Sequence, residues 1–187
     1  TAGPGPPLLD HWGLGSRPGP CRRPASHAAL CHHHLQPTSG AGAAKQGGRF
    51  NRKDVDALYL SFEQDTAIKE YQQTSPFLPP CILCSYSVKL TKLVDLRQLH
   101  HGPPWDDLWH DWHEDWRELL FDQQIEPPSW ILSDMVIECG YTGIVFPSIT
   151  NTGGNNLVVF CSQLNYDNSV SVNDPTKLLP QNQKSWL

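Results

Sequence analysis

Two apolar runs, GIVFPS (143–148) and NLVVFC (156–161), flank the turn TNTGGN (150–155), and this pairing constrains the chain more than any other feature in it. Short apolar runs bounded by Gly, Asn and Thr read as two strands joined in a hairpin. ALYLSF (57–62), rich in Leu, Tyr and Phe, and ILCSYSVKL (82–90), which alternates, read as two further strands, and KLVDL (92–96) is a shorter extended piece. Helical spacing lies between and around them. DTAIKEYQQ (65–73) sets Ala67, Ile68 and Tyr71 on one face, with Ser61 or Asp65 as the cap and Pro76, Pro79 and Pro80 as the stop. Trp105, Trp109, Trp112 and Trp116, spaced 4, 3 and 4, predict an amphipathic helix with its indoles together and Asp111, Glu114, Asp115 and Glu118 elsewhere. Pro127 and Pro128 open a last helix, Ile131, Leu132, Met135 and Val136 form its buried stripe, and Gly140 suits its left-handed stop. The reading is an α+β fold: a compact mixed sheet with flanking helices and no internal repeat.

A chain of 187 residues builds one domain of ordinary size. Residues 1–36 carry no period of 2 or 3.6, and Pro and Gly recur every few positions, so this Pro/Gly/His-rich stretch is expected to be a disordered leader, foreign in texture to a domain spanning 37–187. Charge is divided unevenly: +4 over residues 1–56 and −9 over 57–187. An acidic body lacks the basic face that neutralises phosphates, so no direct nucleic-acid partner is expected. No apolar run approaches a membrane span and no export signal opens the sequence, so no membrane role is expected, a cytoplasmic location is, and the six Cys are expected as reduced thiols.

Four polar side chains sit where their surroundings make them conspicuous. TSGAGAAKQGGRFN (38–51) is a small-residue loop that aims Arg49 from an open backbone, and a guanidinium fork suits a diphosphate or a carboxylate. Tyr59 points away from its strand neighbours Leu58 and Leu60. Glu70 falls between Ile68 and Tyr71, close to the buried stripe, and Ser148 ends an apolar strand after Pro147. Taken singly, each has a plain structural reading: a surface arginine, a solvated glutamate, a core tyrosine, a turn serine.

Taken together, GGRFNRKDVDALYLSFEQDTAIKEYQQ and the later GYTGIVFPSITNTGGNNLVVF resemble the RES domain, named for an Arg, a Glu and a Ser that match Arg49, Glu70 and Ser148. The resemblance implies a fold similar to ADP-ribosyltransferase toxins and consumption of NAD, as substrate, by the toxin half of a bacterial toxin–antitoxin pair with an Xre-type antitoxin. WDDLWHDW, PPSW and the terminal SW look nearest to protein ADP-ribosylating members, which implies a protein acceptor of ADP-ribose; water or phosphate as acceptor would give a glycohydrolase or a phosphorylase. Glu70 would be the carboxylate beside the ribose and Arg49 the cation on the diphosphate. Tyr59 would border the nicotinamide, Ser148 would hold the ribose or orient Glu70, and Asn51 and Asn156 would support the bound cofactor. The family's N-terminal strand precedes the glycine loop, and here the leader takes that place. A chain lacking it would be weakly active or a degenerate binding module that holds an antitoxin or a nucleotide without turnover.

Other clusters have less to recommend them. Cys81 and Cys84 in CILC lack a second pair at zinc spacing and read as buried thiols. His100, His101, Asp107, His110, Asp111 and His113 have the ingredients of a metal site, His32 to His34 those of a weak chelator, but no metal is expected to serve the chemistry. The indole stripe reads first as core packing and second as an antitoxin face.

Overall fold

The computed structural model describes residues 25–31, 37–73, 75–78, 81–98, 109–177 and 179. Among the described residues, seven strands form one mixed sheet: β1 (Ala25–Cys31), β2 (Ala57–Ser61), β3 (Ile82–Lys89), β4 (Leu93–Asp95), β5 (Gly143–Pro147), β6 (Asn155–Phe160) and β7 (Ser169–Val172), in the spatial order β4-β5-β6-β2-β1-β3-β7. Only β4 and β5 run parallel; the other neighbours are antiparallel. Helices α1 (Ala41–Gln46), α2 (Gln64–Gln72) and α3 (Pro128–Glu138) accompany it. The α+β architecture read from the sequence is the one observed, including the 143–161 hairpin.

Strand alternation sorts the side chains into two cores. Ala57 and Tyr59 of β2, Ile144 and Phe146 of β5, and Val158 and Phe160 of β6 join Phe50, Trp109, Trp112, Leu132 and Val136 on one face. Leu58 and Leu60 of β2, Val145 of β5 and Leu157 and Val159 of β6 join Cys84, Tyr86 and Val88 of β3 on the other. Burial on both faces explains why β5 and β6 read as near-continuous apolar runs whereas β3 alternates buried and exposed.

Four expectations need correction. The leader is not without structure: β1 lies inside it, pairs along its whole length with β3 from Ala25↔Val88 to Cys31↔Ile82, and meets β2 at Ala28↔Ser61. The position between β2 and β3 is therefore filled, and the domain begins before residue 37. The tryptophan segment is not one helix, since a 3₁₀ turn at Asp111–His113 gives way to extended backbone at Glu114 and then to a π-helical turn at Glu118–Asp122. The backbone carbonyls of Trp112 and Glu114, which a helix would offer to the N–H groups four residues on, accept hydrogen bonds from Arg49 instead, and Asp115 Oδ1 takes the N–H groups of Arg117 and Glu118. The cap of α2 is neither Ser61 nor Asp65: Glu63 occupies the N-cap, and the Ser61 hydroxyl is used elsewhere. In α3 the buried set is Ser129, Trp130, Leu132, Ser133 and Val136, while Ile131 is exposed. The chain after the hairpin adds β7 to the edge of the sheet beside β3. As expected, α3 starts on Pro128 and ends before Gly140, whose φ of +71° is the left-handed stop.

Candidate active site

Register builds the floor of the site. β2 pairs with β6 so that Ser61 stands opposite Asn156, and β5 pairs with β6 so that Phe146 stands opposite Asn156 as well. Ser61 Oγ donates to Asn156 Oδ1 at 2.7 Å, which leaves the amide nitrogen of Asn156 pointing at Glu70: Nδ2 donates to Glu70 Oε1, also at 2.7 Å. Glu70 arrives on α2, one short turn after β2. From the end of β5, the Ser148 hydroxyl donates to the same Oε1 at 2.7 Å and accepts the Asn151 N–H at 2.9 Å. Two donors thus converge on one carboxylate oxygen, and Oε2 accepts no hydrogen bond among the described residues. Ser148 and Asn156 are almost wholly buried, whereas Glu70 is half-buried.

The glycine loop is fixed from below. The Tyr59 hydroxyl accepts the Phe50 N–H at 2.8 Å and donates to Asn51 Oδ1 at 2.9 Å, while Asn51 Nδ2 reaches the carbonyls of Ala43, Arg52 and Val55. Gly48 is where only a glycine fits: a Cβ there would stand 2.6 Å from Asn51 Oδ1 and 2.7 Å from the Tyr59 hydroxyl. Phe50 packs between Phe146 (ring centroids 4.7 Å apart) and Trp112 (5.9 Å), anchoring the residue next to Arg49. Burial drives the Tyr59 phenol above its usual range.

Arg49, Tyr59, Glu70 and Asn156 line a single cleft of about 460 Å³, together with Ser61, Trp116 and Arg117. That size is within the range of about 300–1,000 Å³ typical of small-molecule sites. Arg49 Nη1 donates to the carbonyl of Glu114 at 2.7 Å and to that of Trp112 at 3.2 Å, so the guanidinium straps the tryptophan segment to the glycine loop. Burial lowers the pKa of Arg49, opposed by the nearby charges of Glu70 and Asp115, and an arginine so placed stays cationic at neutral pH.

The sequence-predicted residues divide into three groups. Arg49, Tyr59, Glu70 and Asn156 reach the cleft, and Ser148 sits directly behind Glu70. Asn51, expected at the cofactor, is only 1% exposed and off the cleft wall, because all its polar atoms are spent on the loop and on Tyr59. Ser61 and Arg117 line the cleft without having been singled out; Ser61 shares the alternation that exposes Tyr59, two residues earlier, to the same side. Cys84 is a buried thiol and Cys81 a half-buried one. His100, His101 and Asp107 of the suggested metal cluster, the triplet His32 to His34, and Trp105 all lie outside the described residues, among which no group of three His, Cys, Asp or Glu is placed to hold a metal ion. Of the indole stripe, the three described members Trp109, Trp112 and Trp116 are buried, as core packing requires, and Trp116 also lines the cleft. No helix among the described residues is long and apolar enough to cross a membrane.

Fold and site together define a mixed-sheet α+β domain that brings an arginine and a glutamate to one cleft, with a serine from a third distant segment hydrogen-bonded behind the glutamate. Residues 21–176 match the RES domain, and the chain belongs to that family. The match starts at residue 21 and so takes in β1. A chain in the crystal structure of the M. tuberculosis MbcT–MbcA toxin–antitoxin complex has a similar fold, with a TM-score of 0.58 and 18% sequence identity over 80% of this chain and 81% of that one. No curated protein matches the sequence.

Proposed function

We propose that this chain is the toxin of a toxin–antitoxin pair and acts on NAD, breaking the bond between nicotinamide and its ribose and passing the ADP-ribosyl group to an acceptor. The observation that carries the reading is Glu70, a carboxylate in a cleft with one oxygen held by Ser148 and Asn156 and the other uncommitted. When the glycosidic C–N bond breaks, its electron pair leaves with the nicotinamide ring, which becomes neutral, and positive charge develops on ribose C1′ and the ring oxygen. A fixed carboxylate beside them stabilises that charge more in the transition state than in the ground state. Glu70 Oε2 is the oxygen left for this role. Tyr59 borders the nicotinamide with its ring, since its hydroxyl is committed to the loop, and the guanidinium nitrogens of Arg49 not spent on Trp112 and Glu114 face the diphosphate.

The bond that replaces C–N is made by an acceptor oxygen or a nucleophilic side chain, whose proton passes to Glu70 or to solvent. Water yields ADP-ribose, phosphate yields its 1″-phosphate, and a protein acceptor yields an ADP-ribosylated side chain. The fold shared with a chain of a toxin–antitoxin complex supports an antitoxin partner, here of Xre type, and a cytoplasmic site of action goes with intracellular NAD. β1 between β2 and β3 favours turnover over a binding module without activity, because a degenerate domain would follow from a missing strand and that position is filled.

The test is to incubate the purified chain with NAD and follow nicotinamide release, resolving the three products by mass. Glu70→Gln keeps the shape and removes the charge, and is expected to lower kcat by roughly 10²–10³-fold. Equal release by wild type and Glu70→Gln, or neither release nor a thermal shift with NAD in the wild type, would sink the proposal.

A further inference from the structure

The sequence offers one cation to the cleft, yet two guanidiniums line it, those of Arg49 and Arg117. The place of Arg117 is built from both sides. Asp115 Oδ1 accepts its backbone N–H at 2.9 Å, and its guanidinium lies 4.7 Å over the ring of buried Trp116, which packs in turn on Phe121 at 6.2 Å. The segment that carries it is strapped to the glycine loop by Arg49 through the carbonyls of Trp112 and Glu114. Arg117 forms no ion pair among the described residues, and its charge bears on both Arg49 and Tyr59. Glu70 and Asp115 offset part of the repulsion between the two guanidiniums, and an anion entering between them offsets it further. A stacked guanidinium presents its planar fork already oriented, with donors suited to phosphate oxygens.

We propose that Arg117 is the second arm of a two-guanidinium clamp on the diphosphate of the bound nucleotide, and that it makes the cleft select dinucleotides and nucleoside diphosphates over nucleosides. This rests on the reading of the cleft as a nucleotide site. The contact is made equally before and during the reaction, so its loss raises KM and leaves kcat nearly unchanged.

The test uses the full chain and two probes, ADP and adenosine, whose binding is measured by calorimetry for wild type, Arg117→Gln and Arg117→Lys. Arg117 is exposed, so neither substitution is expected to shift Tm by more than a degree or two. Arg117→Gln is expected to weaken ADP about 10- to 100-fold, the range for a lost charge-assisted hydrogen bond, and to leave adenosine within about twofold. Arg117→Lys recovers part of the loss, and the salt dependence of ADP binding becomes shallower in Arg117→Gln. Unchanged ADP affinity in Arg117→Gln, or an equal loss of ADP and adenosine, overturns the clamp. ADP binding through Arg117 without nicotinamide release would keep the clamp and remove the NAD-cleaving reading. Nicotinamide release with the same KM in Arg117→Gln would do the opposite.

Discussion

Removing the Ser148 hydroxyl isolates what the carboxylate cradle contributes. Ser148→Ala deletes one of the two 2.7 Å donors to Glu70 Oε1 and also leaves the Asn151 N–H without its acceptor. A hydrogen bond to a charged group contributes about 1.5–3 kcal/mol, equivalent to about 10- to 150-fold in rate if it is all expressed in the transition state. Asn156 Nδ2 still restrains Oε1, so kcat/KM is expected to fall at the lower end, about 10- to 30-fold. The orphaned backbone group costs about 1–3 kcal/mol of stability, or a Tm lower by about 2–12 °C for a chain of this size. Nicotinamide release under subsaturating NAD, run beside a thermal melt, reads both. The decisive arm is Glu70→Gln with and without Ser148→Ala: if the serine acts only through the carboxylate, adding its loss to Glu70→Gln costs under about threefold. A full multiplicative loss in that background, or a single Ser148→Ala within twofold of wild type, refutes the cradle.

Three further outcomes follow from the same geometry. Gly48→Ala drives a methyl against Asn51 Oδ1 and the Tyr59 hydroxyl, so it is expected to lower Tm by several degrees and abolish nucleotide binding, as checked by melting with and without NAD. Burial raises the Tyr59 pKa, so below the ordinary phenol range both folded and unfolded states are neutral; above about pH 10 only the unfolded chain ionises, and stability falls as pH rises. Denaturant melts between pH 8 and 11 are expected to show that slope, and Tyr59→Phe to flatten it from a lower starting stability. Truncation to residues 37–187 removes β1 from between β2 and β3 and is expected to abolish cooperative unfolding, whereas removal of residues 1–20 alone is expected to preserve it, with circular dichroism as the readout.

Local pattern made much of this molecule legible, and what escaped was non-local. The 143–161 hairpin, β2, β3 and the two ends of α3 follow from period, turn residues, Pro128 and Gly140, all signals held within a few positions. Of the six residues assigned to the site, Arg49, Tyr59, Glu70 and Asn156 line the cleft and Ser148 backs Glu70, through a motif that spans both ends of the domain. β1 escaped because ASHAALC, amid Pro and His, has little intrinsic strand character; seven paired positions on β3 hold it there. The indole spacing misled because helical hydrogen bonding at Trp112 and Glu114 loses to a guanidinium more than sixty residues upstream. Asn51 supports the site through Tyr59 and not from the cleft wall, a distinction the sequence does not carry, since a buried amide with four partners reads like any polar neighbour of a glycine loop. Ser61 and Arg117 gain their places from β2–β6 register and from the strap on the tryptophan segment, neither of which a linear pattern carries.

The most direct measurement is a crystal structure of Glu70→Gln with intact NAD bound. The account predicts ribose C1′ within van der Waals reach of the residue 70 side chain, the nicotinamide against Tyr59, and the diphosphate between Arg49 and Arg117. NAD bound elsewhere on the molecule, or bound here with its adenine end at residue 70, would contradict it.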